Sequence, residues 1–391
     1  MKVPQGLEAP PNTVCKLKKS LYGLKQASRQ WNNKLKSVLL ENGYHQSKSD
    51  HSLFTKSQAS GFTALLIYVD DVVLAGNDLV EIDSIKALLN ACFKIKDIGD
   101  LKFFLGMEVA RSKQGVALYQ RKYALDLLRK AGFEDCKPIS TPMDYNGKLT
   151  KDVGSSLPDN AEYRKLIGKL LYLTNTRPDI SFAVGKLSQF LDKPTDFHLR
   201  AAHRILRYIK SAPAKGLFFP SQSDLRVTGF SDSDWAACSD SRRSITAYCF
   251  YIGNSIVSWK SKKQTTVASS SAEAEYRALA SATCETIWIK KIFSDIGLDY
   301  TEPINLYCDS QAAIHIATNP VFHERTKHIE VDCHVVRDKI LEKLIHLMPI
   351  STHEQIADLL TKPLAPGTFS TLVGKLGLQD ICCPNLREGV T

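Results

Sequence analysis

Apolar residues recur with helical spacing between Ala27 and Glu41, and the pattern then changes to a strand-like run. Leu65, Leu66, Ile67, Tyr68 and Val69 run into Asp70 and Asp71, after which Val72, Val73 and Leu74 resume. The β-branched and aromatic flanks predict two buried strands with the aspartates at the hairpin between them. Residues 1–14, rich in Pro and polar groups, read as an opening loop. Residues 80–135 alternate helix and strand patterns up to the breakers Lys137-Pro138 and Thr141-Pro142. Tyr145 to Pro158 is polar and carries Gly147 and Gly154, the best candidate linker.

Residues 162–215 read as helical throughout. After Ser221 the pattern predicts strands at Leu225–Ser231, Ile245–Ile252 and Ser255–Lys260, then a long helix from about Ser271. A strand at Ile304–Cys308, helices at Ala312–Ala317 and Ile329–Leu344, a strand at Ile345–Ile350 and a last helix at His353–Leu360 complete an α/β order. The tail from Ala365 gives no reading.

Two adjacent carboxylates inside an apolar run must sit on an exposed turn or bind a cation, because an unpaired buried charge is strongly unfavourable. A pair held on a hairpin suits a hard, oxygen-seeking ion such as Mg²⁺; a plain Asp-Asp turn is the other reading. Four further acids stand where the α/β order brings elements together: Asp232 and Asp309 at strand ends, Glu275 in the long helix and Asp358 in the last helix. Ser270 and Glu273 fit a capping box, and Glu273 pairs with Arg277 at i+4, a solvent-face arrangement. Glu275 falls about 200° further round, with Ala278, Leu279 and Ala282. An acid on the packed face calls for a shared metal. Singly each acid is an ordinary surface residue; the ordered set is the signal.

The net charge of +10, from 51 Lys+Arg against 41 Asp+Glu, favours a polyanionic partner, nucleic acid foremost, though charge alone does not separate it from an anionic membrane. Apolar residues make up 43% of the chain, enough for the cores of two or three domains. No apolar run approaches the roughly 20 residues of a spanning helix, and no basic-then-apolar leader opens the chain. The expectation is an intracellular protein, neither secreted nor in a membrane. Ten scattered cysteines without a C-x-x-C pair read as reduced thiols, with Cys382 and Cys383 adjacent in the tail. Ten histidines form no H-E-x-x-H set, so metal chemistry rests on carboxylates. Arg200, Arg204 and Arg207 form a basic stripe on a helix whose other face carries Leu199, Ala202, Leu206 and Ile209. Such a stripe is either a solvated face or a row of phosphate contacts.

A chain of motifs then resembles the C-terminal part of a copia-class LTR-retrotransposon Pol polyprotein. Ser20-Leu21-Tyr22-Gly23-Leu24-Lys25-Gln26-Ala27 resembles its template-positioning motif and Tyr68-Val69-Asp70-Asp71 its polymerase aspartate box. Phe104-Leu105-Gly106-Met107-Glu108 is similar to the strand behind that box, and Thr176-Arg177-Pro178-Asp179-Ile180 to the connecting region. Ser231-Asp232-Ser233-Asp234-Trp235, Ser258-Trp259-Lys260-Ser261-Lys262-Lys263-Gln264, Glu273-Ala274-Glu275-Tyr276 and Cys308-Asp309-Ser310-Gln311 resemble its RNase H part. So do Thr326-Lys327-His328-Ile329 and Ala357-Asp358-Leu359-Leu360-Thr361-Lys362-Pro363-Leu364.

The resemblance implies a multi-domain α/β fold: an N-terminally truncated reverse-transcriptase palm and thumb over 1–144, a linker and helical connection over 145–222, an RNase H-like mixed-sheet domain over 223–364 and a tail over 365–391. It implies that Asp232, Glu275, Asp309 and Asp358 hold two Mg²⁺ ions, with Mn²⁺ as the alternative, about 4 Å apart. Asp70 and Asp71 would be polymerase ligands. The implied substrate is the RNA strand of an RNA–DNA hybrid, beside primer-template nucleic acid and the remainder of a Pol polyprotein. Arg242, Arg243, Lys260, Lys262, Lys263, Arg200, Arg204 and Arg207 are the expected phosphate contacts. The implied location is a cytoplasmic particle or the nucleus. A polymerase of this class needs an aspartate before Leu21-Tyr22-Gly23, where the acid present is Glu8, so the polymerase half is expected to be inactive alone. Ser28 stands where the family usually has Pro and Ala247 where it usually has Gly. His353, five residues before Asp358, is a poor match to the mobile-loop histidine of cellular RNase H enzymes. A non-catalytic nucleic-acid-binding remnant and a part of a longer active polymerase stand as alternatives.

Overall fold

The computed structural model describes residues 2–18, 23–147, 149–319 and 330–381. Ser20-Leu21-Tyr22, Thr326-Lys327-His328-Ile329 and Cys382-Cys383 lie outside the described residues. The chain divides into two compact units, Met1–Gly99 with Trp288–Tyr300, and Asp100–Ile287 with Thr301–Thr391.

The first unit contains α1 (Ala27–Glu41), β1 (His45–Gln46), β2 (Leu53–Gln58), β3 (Gly61–Tyr68), β4 (Asp71–Gly76) and α2 (Leu79–Phe93). Its strands form an antiparallel sheet in chain order. Burial along β3 alternates, the mark of a sheet covered on one face. Leu65 and Ile67 from β3 meet Phe54, Leu35 and Leu39 from α1, and Ile85 and Leu89 from α2 in one core. Asp78 caps α2 by accepting from the Glu81 amide at 3.0 Å.

The second unit begins with β5 (Phe103–Phe104), β6 (Met107–Ser112), β7 (Gly115–Tyr119) and α3 (Arg121–Lys130). Three helices follow, α4 (Ala161–Leu173), α5 (Ser181–Leu187) and α6 (Asp196–Ser211), then β8 (Lys215–Pro220). Next come β9 (Val227–Asp234), β10 (Ile245–Ile252), β11 (Ser255–Lys263), α7 (Ser271–Asp295), whose residues from Trp288 on belong to the first unit, and β12 (Ile304–Cys308). Last are α8 (Gln311–Thr318), α9 (Glu330–Leu341), β13 (Ile345–Pro349), α10 (Pro366–Lys375) and β14 (Gln379–Asp380).

One sheet has the order β14-β8-β7-β6-β5 and the other β11-β10-β9-β12-β13. In the second sheet β9, β10 and β11 pair antiparallel, whereas β12 joins β9 in parallel and β13 joins β12 in parallel. The polarity changes at β9, which makes the ends of β9 and β12 a junction for a site. Gly229 lets this strand pack closely: a Cβ there would lie 2.5 Å from the Phe250 ring.

Two expectations need correction. Residues 162–215 are not helical throughout: the chain breaks before Pro178 and again before Pro194, each of which lacks an amide donor and constrains the residue before it. His353–Leu360 is not one helix but two short 3₁₀ turns, Thr352–Glu354 and Ile356–Leu360, separated by the extended residue Gln355. The segment after Ala365 has structure: α10 buries Phe369, Leu372 and Val373, and β14 pairs with β8. Packing holds the breaks in place. Arg177 makes a two-pronged contact with Asp179 at 2.9 and 2.7 Å and donates to the Ala212 carbonyl at 3.0 Å, while Tyr208 donates to Asp179 at 2.6 Å. All three side chains are buried. Among the described residues no helix is long and apolar enough to cross a membrane.

Candidate metal centre

The register of β12 beside β9 pairs Tyr307 with Phe230, and its continuation puts Asp309, just past the end of β12, beside Asp232. Asp232 lies within β9 rather than at its end, because pairing with β10 carries the strand on to Asp234. Asp232 is 2% exposed, and buried Thr361 donates its hydroxyl to Asp232 Oδ2. The second 3₁₀ turn brings buried Asp358. Gln355 anchors that turn by donating to the Ser231 carbonyl at 3.0 Å. Lys362 Nζ stands 2.8 Å from Asp358 Oδ1 and 3.9 Å from Asp232 Oδ2. Helix α7 supplies Glu275, which is 8% exposed and whose Oε2 has no hydrogen-bond partner. Glu275, Cys308 and Asp309 can each place a ligand atom within 4.8 Å of the others. Gln264 positions this end of α7, its amide donating to the Ala274 carbonyl at 3.0 Å and to Thr246 at 2.9 Å. Thr352 donates to Asp309 Oδ2 at 3.1 Å.

These groups strain one another electrically. Burial, then the charges of Asp232 and Asp309, push the Glu275 carboxyl up to about 9. Burial and the Asp232 charge push Asp358 up to about 7 against the pull of Lys362. Burial also raises Asp232, opposed by Lys362 and Thr361. Acids held above their ordinary range by burial and by one another form a site short of positive charge. The donors fit a hard divalent ion: the available atoms are carboxylate oxygens, and one of them, on Glu275, is buried without a partner. Burial drives the Cys308 thiol above its ordinary range, and its soft sulfur suits a hard divalent ion less well than the carboxylate oxygens beside it.

The other sequence-derived candidates fall in varied places. Glu273 is not on the solvent face: it is 4% exposed, accepts from the Ser269 amide at 2.7 Å and contacts Arg277 at 2.6 Å. The side chain reaches back over the helix start and is covered there. Lys260, Lys262 and Lys263 line a groove of about 410 Å³ with Gln264 and Arg277. Lys263 is tied to Gln189 at 2.8 Å, and Lys260 lies over the Tyr248 ring at 5.5 Å. Arg242 and Arg243 are exposed. Arg204 bonds Thr141 at 2.8 Å, Arg207 bonds the Lys137 carbonyl at 2.9 Å, and Arg200 pairs with Asp196 at 2.9 Å. Arg204 and Arg207 therefore hold the 137–141 segment, whereas Arg200 pairs along its own helix. His353 is exposed on the turn next to Thr352.

Asp70 and Asp71 stand at the β3–β4 hairpin, where Tyr68 pairs with Asp71 and both aspartates are exposed. Val69 takes a φ of 52°, a left-handed conformation costly for a β-branched residue. Among the described residues these two acids belong to no cluster of three ligand side chains. Lys362 and Thr361 gained no role from the sequence, although a lysine four residues after Asp358 is the i+4 signal of a pair.

The family described as reverse transcriptase (RNA-dependent DNA polymerase) matches residues 1–145. The chain is 43% identical over 371 residues to the retrovirus-related Pol polyprotein from transposon RE1 of Arabidopsis thaliana, a match covering 95% of this chain and 25% of that protein. It is 32% identical over 281 residues to a putative transposon Ty5-1 protein of Saccharomyces cerevisiae, covering 71% of this chain and 91% of that one. Among solved structures, LC11-RNase H1 in complex with an RNA/DNA hybrid covers 35% of this chain and 94% of its own at 16% identity and a TM-score of 0.26. The sheet order and polarity described above, not that overlay, carry the fold reading. The chain spans about a quarter of the length of the first retrotransposon relatives it matches. By these matches, the chain belongs to the copia class of retrotransposon Pol polyproteins.

Proposed function

We propose that the four-acid centre hydrolyses the RNA strand of RNA–DNA hybrids, with Asp232, Glu275, Asp309 and Asp358 holding Mg²⁺ or, alternatively, Mn²⁺. The observation that carries this reading is the buried, unpartnered Glu275 Oε2 beside Asp309 at the strand junction. Divalent ions bound there would neutralise the phosphodiester and make a water nucleophilic at neutral pH. Thr361 fixes the rotamer of Asp232, Thr352 steadies Asp309 and Gln264 sets the end of α7 that carries Glu275. Lys260, Lys262 and Arg277 in their shared groove, with exposed Arg242 and Arg243, would hold phosphates without reading sequence. Hybrid affinity should therefore fall steeply with salt. The 2′-hydroxyls of the hybrid offer the discrimination between RNA and DNA.

The hairpin aspartates Asp70 and Asp71 would serve polymerisation on primer-template nucleic acid in a longer Pol product, acting in a cytoplasmic particle or the nucleus. With two acids and no third ligand side chain beside them among the described residues, this chain alone is expected not to extend a primer. Extension above an Asp70→Asn control contradicts that. For the nuclease reading, purified chain should cut a labelled hybrid with Mg²⁺ and stop with EDTA. Cleavage that persists in EDTA, or none under any divalent ion, contradicts it.

A further inference from the structure

We propose that Lys362 is a resident counter-cation for one half of the four-acid centre, which a second divalent ion must displace. The inference rests on the metal reading above and concerns how the centre fills. Its two halves differ. The Lys362 ammonium lies 2.8 Å from Asp358 Oδ1 and 3.9 Å from Asp232 Oδ2, so Asp232 and Asp358 already have a positive charge. Among the described residues no lysine or arginine forms an ion pair with Glu275 or Asp309, and Glu275 Oε2 has no partner. The first divalent ion therefore goes to the Glu275–Asp309 half.

The contact that Lys362 makes lies at a solvent-open edge of the centre. The ammonium is the partner of Asp358 Oδ1, held at 2.8 Å by its charge. The hydrogen bond to Asp232 Oδ2 comes from Thr361. The Lys362 side chain is 30% exposed, and its flexible stem gives the ammonium a way out to water. A divalent ion and an ammonium cannot share Asp358 Oδ1, because two cations so close repel strongly in a buried site. The second ion and Lys362 therefore exchange. A bound hybrid adds a phosphate charge beside the centre, which favours the ion over the monovalent lysine. Complete filling of the site is thereby tied to the presence of substrate.

The test is Mn²⁺ binding to the whole chain without nucleic acid, followed by calorimetry and by the spin-resonance signal of free Mn²⁺. The wild type should bind one ion tightly and a second weakly; Lys362→Met should tighten the second by about ten-fold or more. Lys362→Arg, which keeps the charge, should leave the second ion weak. Should Lys362→Met fail to fold, the wild type supplies a second readout: acylation of the Lys362 amine, measured by mass spectrometry, should rise when Mn²⁺ and hybrid are added together. Saturable binding that Lys362→Met leaves unchanged, or a Lys362 reactivity that Mn²⁺ and hybrid do not alter, overturns the proposal alone. No saturable Mn²⁺ binding to the wild type overturns the metal reading and the proposal with it.

Discussion

Gln355 donates its side-chain amide to the carbonyl of Ser231 at 3.0 Å, and both residues are fully buried. The same side chain accepts from the Ala357 amide at 3.3 Å. One residue thus ties the strand that carries Asp232 to the turn that carries Asp358. Gln355→Leu removes both bonds and leaves buried polar groups unpaired, a cost of about 1–3 kcal/mol. The urea midpoint should fall, and hybrid cleavage should fall with it while hybrid affinity holds. An unchanged midpoint and rate would show that the turn is held by other contacts.

Arg177 and Asp179 form a second buried tie, with side chains 1% and 0% exposed. Removing only one partner leaves an uncompensated charge in the core. Arg177→Met should cost about 3–5 kcal/mol, and joining it to Asp179→Leu should recover much of that loss. Chemical denaturation of the two variants checks the order. A double variant less stable than the single one contradicts it.

Periodicity made Ala27–Glu41, Ile245–Ile252 and Ile304–Cys308 legible, because each buries one regular face or both faces of a strand. The aspartate hairpin was legible because two charges cannot lie inside an apolar strand. Asp309 was legible as a strand end, whereas Asp232 lies two residues inside its strand, which pairing with β10 extends to Asp234. What stayed hidden depends on contacts distant in sequence. Gln355 interrupts the last helix because its partner is Ser231, and Arg204 and Arg207 turn inward because Thr141 and Lys137 accept from them. Glu273 has the i+4 spacing of a surface pair, yet Arg277 itself is only 18% exposed, so the spacing misled.

Glu273→Gln therefore carries a larger stability cost than a surface cap. The amide can still accept from the Ser269 backbone, but the charge facing Arg277 is lost, about 1–2 kcal/mol in a partly buried pair. Cleavage by the folded variant should stay near normal. A thermal melt beside a single-turnover assay checks both parts; loss of cleavage without loss of stability contradicts the assignment.

His198 gives the stability a pH dependence of definite sign. Its Nδ1 accepts from the Thr195 amide at 3.0 Å, its Nε2 faces the Thr150 carbonyl at 3.2 Å, and its ring stacks on Phe190. Burial lowers its pKa below the ordinary 6.5, and burial lowers His203 as well. Below pH 6.5 the unfolded chain then binds more protons than the folded one. The stabilisation is complete above that pH and is lost as the pH falls towards the folded value. His198 contributes a fall in stability between neutral and mildly acidic pH, against the rise that the Glu275 and Asp358 carboxyls contribute as they take up protons in the folded chain. His198→Asn, which keeps an acceptor for Thr195, should shift the slope towards that rise. An unchanged slope in the variant contradicts the assignment.

The central claim is that Glu275, not its neighbour two residues earlier in α7, belongs to a divalent metal centre that cuts RNA in a hybrid. The most direct measurement is cleavage of a labelled RNA–DNA hybrid by Glu275→Gln, with hybrid affinity measured on the same preparation. The account predicts that Glu275→Gln abolishes Mg²⁺-dependent cleavage while binding stays within about two-fold of the wild type, because the phosphate contacts lie on other residues. Wild-type cleavage by Glu275→Gln would contradict it.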